Sequence, residues 1–233
     1  MELQLALRTT GAVRKFTDQS VDDNTIASIL EMARFAPSGG NRQGWHVVVI
    51  RDPDQRRAIR DLYLTGWYEY LAMASAGLVP FAPITDRDAE RQALSKLDEI
   101  VDVGAGSFAE HLDRVPVLLV VLADLRSLAA TDRDLDRYTL VGGASIYPFV
   151  WSILLAARGM GLAGVSTTML TRREDNVRAT LRVPDHFAVA AGIALGHPVK
   201  QSTHLRRAEV PDFTTYDYFD GLALPMPDEE TGR

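Results

Sequence analysis

Ala36-Pro37-Ser38-Gly39-Gly40-Asn41-Arg42-Gln43-Gly44-Trp45 joins an amphipathic helix to an apolar strand. An ordinary connection rarely needs two glycines, a proline and the side-chain hydrogen-bonding groups of Ser38, Asn41 and Gln43 in so few residues. Gly39 and Gly40 allow a tight bend or the close approach of a ligand, because no Cβ is present to clash. The Asn41 and Gln43 amides each carry a donor and an acceptor, which suits a flat, amide-bearing heterocycle. The same residues also fit a plain helix C-cap with glycine in the left-handed region.

Working outward, Asp22 and Asp23 cap a helix whose apolar positions Ile26, Ile29, Leu30 and Ala33 recur at helical spacing, and Pro37 stops it. The β-branched run from Trp45 to Ile50 reads as a strand, followed by a helix over 54–74. Residues 90–111 read as a helix interrupted near Gly104-Ala105-Gly106. Val117 to Ala123 is apolar on successive residues, so both of its faces must be covered, as in a central strand. Residues 144–158 are apolar nearly all round and predict a buried helix. A short strand over 165–169, a charged surface helix over 172–181 and a last core strand over 187–195 follow. One domain over 1–224 and a disordered acidic tail over 225–233 complete the expected organisation.

The 233 residues are 46% hydrophobic and 24% charged, an ordinary globular balance. A net charge of −6 argues against nucleic acid as a partner. With no cysteine, disulfides, thiol catalysis and thiolate metal sites are excluded. His46, His111, His186, His197 and His204 show no metal-ligand spacing, and no G-x-S-x-G elbow supports a serine hydrolase. The apolar segment 144–157 is too short to span a bilayer, so no membrane association is expected. The N-terminus lacks a basic-then-apolar signal pattern, which predicts a cytoplasmic protein. Gly159-Met160-Gly161-Leu162-Ala163-Gly164 matches the dinucleotide fingerprint only formally. It follows a helix and precedes a strand, the reverse of the order that aims helix-terminal amides at a pyrophosphate, and so reads as a C-cap.

Three blocks occur in a telling order: Val13-Arg14-Lys15-Phe16, then Pro37 to Trp45, then Leu195-Gly196-His197-Pro198 with Arg206-Arg207 beyond. Together they resemble the nitroreductase family of FMN-dependent oxidoreductases over residues 8–210. The resemblance implies an α+β fold, a mixed but mainly antiparallel sheet wrapped by helices and built as an intertwined homodimer. It implies FMN as cofactor and NADH or NADPH as electron donor. It further implies that hydride passes through flavin N5 to a nitroaromatic, a quinone or a similar electron-poor small molecule in a ping-pong cycle.

The resemblance also assigns positions. Arg14 contacts the FMN phosphate or ribityl chain, and its guanidinium suits that task at any working pH. Pro37, Ser38, Gly39 and Asn41, from the other subunit, lie against the isoalloxazine ring. Within Val165-Ser166-Thr167-Thr168 the candidates beside N5 are Thr167 and Thr168, and Arg206 is the late phosphate ligand. Thr10 and Ala12 stand where the family commonly has Arg and Ser, although Arg8 could reach in. Gly44 replaces a usual Pro, and Trp45 reads as core. No side chain is expected to act as acid, base or nucleophile, because the cofactor carries the chemistry. The segment 62–114, with its aromatic stretch from Gly66 to Phe81, is where the family varies its substrate pocket. Alternatives are reductive dehalogenation, flavin fragmentation, or flavin binding with little turnover.

Overall fold

Residues 1–226 are described by a computed structural model. In chain order the elements are α1 (Leu3–Thr9), α2 (Asp23–Ala33), β1 (Trp45–Val49), α3 (Pro53–Ser75), α4 (Arg87–Leu94), α5 (Leu97–Val103), α6 (Ser107–Glu110), β2 (Val117–Asp124), α7 (Tyr147–Gly159), β3 (Ala163–Thr167), α8 (Glu174–Leu181) and β4 (Phe187–Gly196). The strands form one sheet in the order β1-β2-β4-β3, and every neighbouring pair is antiparallel. The fold is α+β. The sheet's one parallel contact among the described residues is a bridge from Ala12 to Gly164 beside β3.

β2 sits inside the sheet, and its side chains divide by period two. Val117, Leu119, Val121 and Ala123 join one core with α2 and α7. Leu118, Val120 and Leu122 join the other with Ile59 and Tyr63 of α3 and Val177 of α8. Trp45 stacks on Phe149 of α7 at 4.5 Å between ring centres, which makes it a core residue. Asp22 and Asp52 cap α2 and α3 by accepting from Thr25 N at 2.7 Å and Gln55 N at 2.9 Å. Arg56, only 9% exposed, ties α3 to the strands by donating to the carbonyls of Asp113, Ile50 and Val115. Burial disfavours its charged form and lowers its pKa.

Several boundaries differ from expectation. The helix expected over 90–111 is three short helices, α4 to α6, with Gly104 and Gly106 at φ +94° and +83°. The helix expected from 144 begins at Tyr147, after a 3-10 turn over Val141–Ser145. The strand expected over 165–169 starts earlier, at Ala163, and gives way to a 3-10 turn, Met169–Arg173, that delays α8 to Glu174. α7 also presents Tyr147 at 48% and Trp151 at 38% exposure, so the chain alone does not cover its whole circumference. The C-cap reading of the glycine run holds at Gly161, where φ is +80° between α7 and β3. The expected acidic tail lies, from residue 227 on, outside the described residues. Among the described residues no helix is long and apolar enough to cross a membrane.

α3 reaches the far end of β3 through a close approach at Gly66. A Cβ there would lie 2.8 Å from the Met169 carbonyl oxygen and 2.9 Å from Arg172 Cβ. Glu69, one turn on, accepts from Arg172 Nε at 2.7 Å and Arg173 at 3.3 Å, which locks helix and turn together. Helix propensity alone would make Gly66→Ala stabilising by roughly 1 kcal/mol. The packing reverses the sign: we expect a loss of about 1–3 kcal/mol, read from the urea midpoint, because backbone must move to admit the methyl group. A more stable G66A variant would show that the turn yields freely.

Candidate cofactor site

Ser38 folds the Pro37–Trp45 loop back on itself. Its Oγ accepts from Gln43 N at 2.9 Å, and its carbonyl accepts from Asn41 N at 2.9 Å. Gly40, Asn41 and Gln43 all occupy the left-handed region, at φ of 61°, 53° and 50°. Such residues persist only where neighbours over-determine them, and they concentrate at ligand sites. One such neighbour is distant in sequence: Gly39 N donates to Ser145 Oγ at 3.0 Å, anchoring the loop to the turn before α7. Pro37, Gly39 and Asn41 are exposed and Ser38 is half-buried.

A second feature forms at the free edge of β3. Val13 N donates to the Gly164 carbonyl at 2.9 Å, so the backbone polar groups of Gly164 point away from β4. By the two-residue alternation of a strand, those of Ser166 point the same way, to an edge that no other strand covers. Arg14, Ser166, Thr167 and Thr168 line one cleft of about 270 Å³ there, walled by Trp67 and Tyr70 of α3 and Tyr147 of α7. The Trp67 and Tyr70 rings stack at 4.9 Å and 5°. Tyr63, 2% exposed, lies beneath. Burial pushes its phenol pKa up, opposed by its hydrogen bond with Thr167 and the charge of Arg14.

β4 contributes an irregularity at the same place. Val121 pairs with Ala191 and Leu122 with Val189, which leaves Ala190 as the extra residue of a bulge. The Tyr147 hydroxyl faces the Ala190 carbonyl at 3.5 Å, and Ala191 lines the cleft.

The N-terminal segment is overlaid by the C-terminal one. Gln201 Nε2 donates to the Thr9 carbonyl at 3.0 Å, and a Cβ on Gly11 would meet Leu205 Cδ2 at 2.8 Å. Arg206 is therefore the next residue after a contact with Gly11. Arg158 of α7 donates to Thr9 Oγ1 at 3.2 Å. Thr10 itself is buried and donates to the Ala6 carbonyl at 2.7 Å, so it offers nothing outward.

The structure thus brings together Arg14, Thr167 and Thr168. Pro37, Ser38, Gly39, Asn41 and Arg206 do not line that cleft within one chain. A cation without an ion pair among the described residues (Arg14), flat aromatic walls and an uncovered strand edge fit a planar heterocycle with an anionic tail. Ser166 lies within the expected segment but is not among the residues singled out there; its place in the strand register turns its main-chain groups toward the cleft.

The sequence profile of the nitroreductase family matches residues 7–197. This chain belongs to the nitroreductase family. As a nitroreductase it is an FMN-dependent oxidoreductase. It is 30% identical over 190 residues to an NADH dehydrogenase of Thermus thermophilus, covering 82% of this chain and 83% of that protein. It is 28% identical over 193 residues to human iodotyrosine deiodinase 1, covering 82% of this chain and 60% of that protein. A nitroreductase-like structure from Desulfovibrio desulfuricans, described in complex with FMN, superimposes with a TM-score of 0.60 at 21% identity over 89% of this chain and 92% of that one. Among the described residues no group of His, Asp and Glu could hold a metal ion.

The loop leading into α7 is organised by one carboxylate. Asp132, 4% exposed, accepts from Leu140 N at 2.7 Å, Thr139 Oγ1 at 2.6 Å and Arg137 at 2.7 Å. The Leu140 amide first, then the Thr139 hydroxyl, holds its carboxyl well below the usual range. A depressed folded pKa contributes stability that is present above the unfolded value and lost as pH falls through the folded one. Asp132→Asn is expected to lower the urea midpoint at neutral pH, with the deficit shrinking once acid passes the ordinary carboxylate range near ~4. A deficit that does not change with pH would remove the charge from this account.

Proposed function

We propose that FMN lies along the free edge of β3, and that the site is completed by the Pro37–Asn41 loop of a second copy of this chain. The observation that carries this reading is the cleft in which Arg14 and Ser166–Thr168 converge, which no residue of that loop lines within one chain. The exposed Tyr147 and Trp151 on a helix of otherwise core composition support a covering partner. Held there, FMN would supply hydride-transfer chemistry between NADH or NADPH and a small electron-poor acceptor such as a quinone or a nitroaromatic.

The chain's own residues bind, orient and shield. Arg14 supplies fixed positive charge at the cleft, and the Ser166 amide offers a hydrogen bond from a rigid strand. Thr167 and Thr168 add hydroxyls at the strand end. Arg206, carried next to Gly11 by Leu205, is the better candidate for the phosphate, with Arg158 behind Thr9 on the same side. Those two stand in for the Arg and Ser that Thr10 and Ala12 replace. Trp67, Tyr70 and Tyr147 keep water from the ring position and leave space for a flat acceptor. On this reading no side chain acts as acid, base or nucleophile. Reductive dehalogenation is the second reading, favoured by the similarity to a protein named iodotyrosine deiodinase.

Freshly purified protein is expected to show a flavin absorption band that survives desalting. The loaded protein should oxidise NADH or NADPH when a quinone is supplied. Arg14→Ala should weaken FMN binding at least about tenfold in a fluorescence titration of the apoprotein, the loss of one charge-assisted contact. A colourless protein that refuses FMN would sink the assignment. Turnover of an iodinated phenol in place of the quinone would favour the second reading.

Light scattering should find a dimer. A monomer that retains FMN tightly would overturn the two-copy site.

A further inference from the structure

Arg14 lines two cavities. Besides the cofactor cleft, it lines a groove of about 700 Å³ between the segment 14–20 and the segment 107–116. The groove is basic in a chain of net charge −6. Two of its arginines are committed: Arg51 to Asp23 and the Val21 carbonyl, Arg56 to backbone carbonyls. Arg14, Lys15 and Arg114 are exposed and make no ion pair among the described residues, and His111 stands at the same wall. Phe16 and Phe108 are half-buried and also line it, so the groove offers flat apolar surface next to unspent positive charge. Asp18 is its exposed carboxylate.

We infer that this groove binds the adenosine phosphate arm of the nicotinamide dinucleotide while the nicotinamide end enters the cofactor cleft past Arg14. An aromatic surface suits a purine, and unpaired Lys and Arg suit a pyrophosphate. A cavity of this size accommodates a ligand of that class. Arg14 is the residue that groove and cleft share, so a ligand passing it would reach both. The inference rests on the oxidoreductase reading above, and it adds a specificity determinant for the donor that the acceptor does not touch.

The test separates the two. ADP-ribose, which carries the arm and lacks nicotinamide, is titrated calorimetrically into FMN-loaded protein. Wild type should bind it, and Lys15→Gln and Arg114→Gln should each weaken it roughly tenfold with unchanged thermal midpoints. In turnover, the same variants should raise KM for NADH and NADPH by a similar factor. They should leave 1-benzyl-1,4-dihydronicotinamide, a donor without phosphates, and the quinone KM unaffected. No ADP-ribose binding by wild type, or equal binding by the variants, would overturn the inference. So would a weaker grip on FMN in the variants, which would give the groove to the flavin phosphate. A wild type that oxidises none of the donors defeats the oxidoreductase reading instead, and the ADP-ribose titration decides the groove in either case.

Discussion

Burial of both faces of β2 is the constraint on which the rest of the structure depends. A strand with alternate residues in two cores needs helices above and below it, and α2 with α7 and α3 with α8 supply them. Once those layers are set, β4 lies against β2 on one side and passes β3 to the periphery. A peripheral strand next to two helix layers has helix side chains on both sides of its open edge. Trp67 and Tyr70 come from one layer and Tyr147 from the other. The cleft is therefore a product of sheet order as much as of the residues that line it.

Much of this was legible in the residues. Val117 to Ala123 announces a doubly buried strand, and the spacing of Ile26, Ile29 and Ala33 announces a helix with one core face. What stayed hidden has physical causes. α1 carries Leu3, Leu5 and Leu7 at period two, and these leucines are exposed, so no helical stripe marks it. The bulge at Ala190 has no signature in a run of small residues. The turn at Met169–Arg173 follows from tertiary locking by Glu69 and the approach at Gly66, neither of which is local.

The site was legible in a similar, uneven way. Composition of the 36–45 loop fitted either a ligand loop or a plain C-cap, and the structure adds three left-handed residues there, at Gly40, Asn41 and Gln43. Glycine takes only one of those three positions, at Gly40; Asn41 and Gln43 take the others, and asparagine is among the residues that tolerate the region best. Thr167 and Thr168, expected beside the flavin, line the same cleft as Arg14, while the outward-facing main chain at that edge belongs to Ser166. Cations near the altered N-terminal segment come from Arg158 and from beyond Leu205, far away in sequence. No window of sequence could pair them.

The bridge between Ala12 and Gly164 covers only the beginning of the outer strand. From Ser166 onward that strand keeps unpaired main-chain groups turned outward, the kind of border along which sheets of separate molecules can stitch together. A ligand seated there, as proposed, would cover those groups, so that cofactor loading and resistance to edge-to-edge association would become one property of the protein.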